Sequence, residues 1–177
     1  VQAVSPDWSA QAAGLRFEPI VTVYVHAAGT RLPLPMVALP DDAASPAQYV
    51  FDHGRLGGPD GRLAFVISGA ADWVARGLER TAETVLAQGR RELARWGWPP
   101  SSAAVEAVIA ERRATFRSTP GLQRPPALIA AGLLAAGDYV AGPYPATLEG
   151  AVRAGQAAAL NVASTMQNSD VAVDRMP

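Results

Sequence analysis

Asp138 ends a short apolar stretch, "ALIAAGLLAAGD", and nine residues later a helix-forming run, "TLEGAVRAGQAAALNVASTM", opens at Thr147 and Leu148. A helix start carries unpaired backbone N–H groups and about +0.5 of an elementary charge. It therefore attracts anions and electron-rich carbonyl oxygens. Gly142 and Ala146, just before it, are small enough to let a ligand approach the backbone. A carboxylate at a strand end accepts hydrogen bonds from hydroxyl groups. Read together, Asp138 would take a polyol and the amides near Thr147 and Leu148 would take a polarised ring oxygen. A flavin presents both, as its ribityl chain and the O2 edge of its ring system. The helix dipole would then stabilise the negative charge that a reduced flavin gathers at N1 and O2. A strand, loop and helix packed for stability, with Asp138 as a capping group, satisfies the same spacing, and on spacing alone it is the favoured reading.

Other residues carry less. His26 and His53 are the two histidines, and neither lies in a metal-ligand pattern, so no metal is expected. His26 sits in a strand that reads as buried. His53 opens a turn, where water exposure is favoured over a general-acid role. Arg112 and Arg113 could meet a pyrophosphate or simply line a solvated strand edge. Asp52 and Arg55 suit a turn beside a substrate cavity. Trp73, Trp96 and Trp98 flank a long helix; core packing is their default, and an apolar patch touching a membrane is the minority reading for Trp96 and Trp98. No residue is assigned a catalytic role.

These side chains need elements to position them. At 177 residues, 49% hydrophobic and net charge −1, the chain can bury a core and offers no basic surface for nucleic acid. All fifteen basic residues are Arg and there is no Cys, which excludes disulfides and thiolate chemistry. No apolar run reaches the roughly 18 residues of a membrane span. A cytoplasmic setting is expected, with peripheral membrane contact as the lesser alternative. "FEPIVTVYVHA" (Phe17 to Ala27) reads as a strand buried on both faces. "RLPLPMVALP" is an edge or extended segment, Gln48 to Asp52 a short strand, and Gly61 to Ala70 the next. Asp72 is the expected N-cap of a helix from Trp73 to Arg95. A strand follows near Val108 to Thr115, then a short strand ending at Gly137, then the final helix and a frayed tail. The fold class is α/β (α+β), with a largely antiparallel sheet and a long helix.

The stretch "AGDYVAGPYPATLEGAVRAGQAAA" resembles the C-terminal FAD-binding signature of the flavin amine oxidase and phytoene desaturase superfamily. "LPLPMVAL", "YVFDHGRLGGPDGRLAFVISGA" and "ERRATFRSTPGLQRP" look like the squalene-associated FAD-dependent desaturases, or hydroxysqualene dehydroxylases. The "VFDHGRLGG" and "RATFRSTPG" blocks carry the likeness to that subfamily, which spans roughly Phe17 to Leu160. The resemblance implies that Asp138 bonds the ribityl hydroxyls and that Gly137 lets the chain pass close to FAD. It implies that Ala146, Thr147 and Leu148 form the helix start facing the pyrimidine edge. Glu149 would hold the loop, and Gly150 and Gly155 would permit close helix packing. Residues 1–130 would then be a partial substrate-binding domain, 131–166 the last strand and helix of an FAD-binding domain, and 167–177 a flexible tail.

The same resemblance implies reductive loss of a hydroxyl from a long apolar isoprenoid, hydroxysqualene giving squalene. A phytoene-type desaturase, another flavin amine oxidase, and a truncated non-catalytic product are the alternatives. Two departures bear on it. No G-x-G-x-x-G follows a strand, since "GRLGGPDG" is a turn with no helix after it. The half that holds the ADP end of FAD, expected as the partner of this one, would therefore lie outside these residues, and exposed apolar surface is expected where it docks. Amine oxidases usually place a Tyr where Thr147 stands, which argues against amine oxidation and for a bulkier apolar substrate.

Overall fold

The computed structural model describes residues 1–40, 42 and 44–173. Along the chain run α1 (Pro6–Ala13), β1 (Phe17–Ala27), β2 (Met36–Ala38), β3 (Tyr49–Asp52), β4 (Arg62–Ile67), α2 (Ala71–Ala75), α3 (Leu78–Arg95), β5 (Ala103–Phe116), β6 (Leu128–Ala130), β7 (Leu133–Leu134) and α4 (Leu148–Val173). This is a mixed α+β chain. It divides into two compact units, Phe17–Ala114 and Val1–Arg16 with Thr115–Pro177. These units cut the chain elsewhere than the role boundary placed between residues 130 and 131.

In the unit Phe17–Ala114, β2, β3, β4, β1 and β5 form one sheet in that order. The pairs β2–β3, β3–β4 and β4–β1 are antiparallel, with Val23 opposite Phe65 and His26 opposite Arg62. β1 is not buried on both faces. Val21, Val23, Val25 and Ala27 are buried, while Ile20, Thr22 and Tyr24 are half-buried and His26 is exposed. Its apolar residues form the period-2 pattern of a strand with one face on the core. Val50, Leu63, Phe65 and Ile67 join the same core.

The expected helix from Trp73 to Arg95 is two helices. Gly77, at φ +96°, turns the chain between α2 and α3. Asp72 lies in the first turn of α2, not at its N-cap, which is Ala70. α3 buries Thr81, Val85, Gln88, Glu92 and Leu93 along one face, at the 3.6-residue spacing of an amphipathic helix. Gly89 faces the sheet closely: a Cβ there would stand 3.0 Å from Phe65 Cζ. Gln88 is fully buried and satisfied. Its Oε1 accepts from the Ala47 amide and its Nε2 donates to the Ala47 carbonyl, both at 2.9 Å. Trp73, Trp96 and Trp98 are half-buried against this core, so packing is the role the structure gives them.

The turn after β3 is organised by Asp52, which is fully buried. Its carboxylate accepts from the amides of Leu32 (2.9 Å) and Arg55 (3.2 Å), and Arg55 Nε donates to the Leu32 carbonyl at 2.6 Å. Arg62 and Glu106 are ion-paired. That hydrogen bond holds the Glu106 carboxyl below its usual range and raises the Arg62 guanidinium.

In the other unit, α1 was not expected from the sequence, although Pro6 at its start and Asp7 in its first turn are standard openings. Trp8 Nε1 donates to the Pro126 carbonyl at 2.7 Å. α4 runs well past the expected helix end. Residues 167–173 of the tail continue it as backbone, and residues 174–177 lie outside the described residues. Leu148, Val152, Leu160 and Val162 on α4 are exposed. No helix of the described residues is long and apolar enough to cross a membrane.

Candidate functional site

The segment leading to Asp138 is a hairpin, not one strand ending at Gly137. β6 and β7 pair antiparallel around Ala131 and Gly132, and Gly132 takes φ +74°. Uninterrupted apolar residues hid this turn, because only Gly132 marks it. The Ala135 amide donates to the Ala127 carbonyl at 2.7 Å, which brings the chain back beside the hairpin's start.

Gly137 follows, at φ +153°. That conformation favours glycine, and a Cβ there would lie 2.6 Å from Tyr139 Cε1 and have to displace that ring. Asp138 is half-buried. Its carbonyl is taken by Arg124, while its carboxylate makes no hydrogen bond or ion pair within the described residues. That leaves a local acceptor free beside a fixed turn.

Arg124, to which the sequence gave no role, holds this loop. Its Nη1 donates to the carbonyls of Asp138 (3.2 Å) and Val140 (2.7 Å), and its Nη2 to that of Gly142. The Ala141 amide donates back to the Pro125 carbonyl at 2.8 Å. A planar fork of five donors suits three converging carbonyls, and an ammonium does not. Arg124→Ala is therefore expected to destabilise the chain by about 2–4 kcal/mol, since bonds to a charged donor are worth about 1.5–3 kcal/mol each and overlap in effect. Arg124→Lys should recover little of it. Urea denaturation with hydrogen exchange at residues 138–142 reads the result, and unchanged exchange there would remove this role.

The loop then enters α4 through two strained residues. Tyr144 and Ala146 have φ of 56° and 57°, a left-handed conformation that costs a non-glycine residue on the order of 1–2 kcal/mol. Thr147 closes the turn: its hydroxyl donates to the Tyr144 carbonyl (2.7 Å) and accepts from the Gly150 amide (3.0 Å). Thr147 is thus the N-cap of α4. Its carbonyl receives the Ala151 amide at 3.1 Å, the first bond of the helix. The amides of Leu148 and Glu149 have no acceptor among the described residues. The expected pair near Thr147 and Leu148 lies at this helix start: the Thr147 hydroxyl is committed to the cap, while its amide, like those of Leu148 and Glu149, has no acceptor among the described residues. Glu149 accepts from Arg153 Nε at 2.5 Å, and the Arg153 guanidinium lies 4.8 Å from the Tyr144 ring centroid. A groove of about 420 Å³ runs beside the loop, lined by Val140, Gly142, Pro143, Ala154 and Ala157 among others.

The remaining candidates lie elsewhere. His26 is exposed rather than buried, and half-buried His53 meets Tyr24 edge-on at 5.5 Å. Arg113 stacks over Phe17 at 4.2 Å, and Arg112 is exposed. No group of His, Asp or Glu among the described residues is arranged to hold a metal ion.

A free carboxylate, free amides at a capped helix start and small residues between them are group types that a polyol and a ring oxygen would use. The sequence pattern of the flavin containing amine oxidoreductases matches residues 2–163, and the chain belongs to that family. A search of curated proteins finds no match to this chain.

Proposed function

We propose that this chain is the flavin-closing and substrate-binding part of an FAD-dependent oxidoreductase of isoprenoid metabolism, acting in the conversion of hydroxysqualene to squalene. The observation that carries the flavin reading is the unpartnered Asp138 carboxylate, fixed by Arg124 in the same loop system that leaves the Leu148 and Glu149 amides free. In this reading Asp138 accepts from the ribityl hydroxyls, and the two amides, with the positive end of α4, donate to the O2 edge. Ala146 and Gly142 keep the approach open. FAD, when bound in its reduced form, supplies the hydride. Glu149 holds Arg153 against Tyr144 and so braces the loop.

The subfamily likeness of "VFDHGRLGG" and "RATFRSTPG" supports the substrate. The reaction breaks a C–O bond, forms a C–H bond with a hydride, and releases water with one added proton. An apolar surrounding that excludes bulk water suits the cationic carbon this implies. No side chain is assigned as the proton donor. The adenine end of FAD needs a separate dinucleotide-binding segment, and the exposed Leu148, Val152, Leu160 and Val162 of α4 support a docking role for that helix.

The test is anaerobic incubation of the flavin-loaded protein, with its dinucleotide-binding segment supplied, with hydroxysqualene and a reductant. Squalene detected by mass spectrometry is the expected product. Desaturation of phytoene without squalene would replace this reading with the phytoene-type one. Flavin binding without turnover of either would leave a non-catalytic product.

A further inference from the structure

Independently of the flavin reading, the unit Phe17–Ala114 carries a second feature with chemistry of its own. A hollow of about 300 Å³ is lined by Trp73, Arg76, Arg80 and Thr84. Its origin is the break between α2 and α3: Gly77 turns left-handed, and a β-carbon there would meet nothing within 4 Å. Arg76, capping the end of α2, and Arg80 and Thr84 from α3 then share one hollow, with Arg80 and Thr84 a helical turn apart. Trp73 is half-buried against the core and forms a fixed floor. The Arg76 guanidinium lies 4.4 Å from its ring centroid, an arrangement that pre-orients the donors.

Neither guanidinium is ion-paired to a carboxylate of the described residues. Asp72, Glu79 and Glu83 are neighbours in sequence, yet none lines the hollow. In a chain of net charge −1 no general attraction for anions exists, so the two guanidiniums lining this one hollow are a local concentration of positive charge. The Thr84 hydroxyl donates to the Arg80 carbonyl at 2.9 Å, so the recognition rests on the two guanidiniums.

We propose that Trp73, Arg76, Arg80 and Thr84 form a binding site for a phosphate group, held by the Arg76 and Arg80 forks. Arginine forks match phosphate oxygens two at a time, and charge-assisted bonds of this kind are the strong ones. The phosphate can come from a soluble ligand or from a lipid headgroup at a membrane surface.

Two probes separate the sources. The full chain is dialysed to equilibrium against inorganic phosphate, and is sedimented with vesicles of phosphatidylcholine, with or without about one fifth phosphatidylglycerol. Saturable phosphate binding weakened at least about tenfold by Arg76→Gln with Arg80→Gln is the expected result. Sedimentation with the phosphatidylglycerol vesicles alone, lost in the same variant, would assign the lipid source. Arg31→Gln, which removes an exposed charge paired with Asp60, should bind as the parent does. Arg80→Lys should retain part of the affinity, and all variants should keep the parent's circular dichroism. Absence of saturable binding to either probe, or equal binding by the double variant, overturns the site.

Discussion

Replacing Asp138 by alanine is expected to lower flavin retention about ten- to a hundredfold in the flavin-loaded protein, with the fold intact. The size follows from the bonds lost. A carboxylate accepting from a hydroxyl contributes about 1.5–3 kcal/mol, and each 1.4 kcal/mol is a factor of ten. The fold should survive because the Asp138 side chain makes no bond to the described residues; its carbonyl, not its carboxylate, anchors the loop to Arg124. Asp138→Asn should fall between, since an amide oxygen still accepts but carries no charge. The measurement is visible flavin absorbance per protein after gel filtration, with far-ultraviolet circular dichroism as the folding control. Equal flavin content in parent and Asp138→Ala would end the assignment, because no other acceptor in the loop is proposed to take the ribityl chain. A capping carboxylate would behave in the opposite way: its loss would lower stability and leave flavin content per folded chain unchanged.

The elements legible from sequence are those whose pattern is local. β1 begins and ends at Phe17 and Ala27 as read, because β-branched residues and Tyr fill it. What the sequence did not show was which face is covered, since burial depends on what packs above. His26 is the consequence: an exposed residue in an apolar-looking strand. The break at Gly77 was missed because apolar spacing continues across it, and only the left-handed φ reveals the turn. At the site, Gly137 and Asp138 were visible as a motif, but Arg124 was not. Its three carbonyl partners lie 14 to 18 positions away along the chain, and nothing periodic connects them. Thr147 was read as part of the helix start whose amides face the ligand; that its hydroxyl caps α4 was not read. The S/T preference at N-caps was available in "PATLEG" and would have named it.

These local facts also explain why the loop tolerates strain. Tyr144 and Ala146 are both left-handed, yet neither is glycine, so surrounding bonds must over-determine the turn. Arg124 fixes its start through Gly142, the Thr147 hydroxyl fixes its end at Tyr144, and Arg153 covers the Tyr144 ring. A loop fixed before the ligand arrives does not lose conformational entropy on binding, which is the advantage of preorganisation. The half-buried Asp138 and the free amides of α4 are therefore held in place by neighbours rather than by the ligand itself.

Two glycines of α4 test that account by contrast. The family resemblance implied the same close-packing role for Gly150 and Gly155, and their surroundings differ. A β-carbon on Gly150 would run into the Tyr144 carbonyl oxygen, a backbone atom that the Thr147 hydroxyl already holds. A β-carbon on Gly155 would meet nothing within 4 Å. Gly150→Ala must therefore displace the strained turn or unwind the first turn of α4, and is expected to destabilise by about 2–3 kcal/mol, in the range of overpacking a tight site. Because the Leu148 and Glu149 amides would move with it, flavin retention should fall as well. Gly155→Ala should instead stabilise by about 0.5–1 kcal/mol, as alanine replaces glycine inside an unobstructed helix. Denaturant midpoints and flavin absorbance on both variants decide the matter. Equal effects of one sign would mean that α4 does not begin against the Tyr144 carbonyl, and the free amides at its start would lose their place in the site.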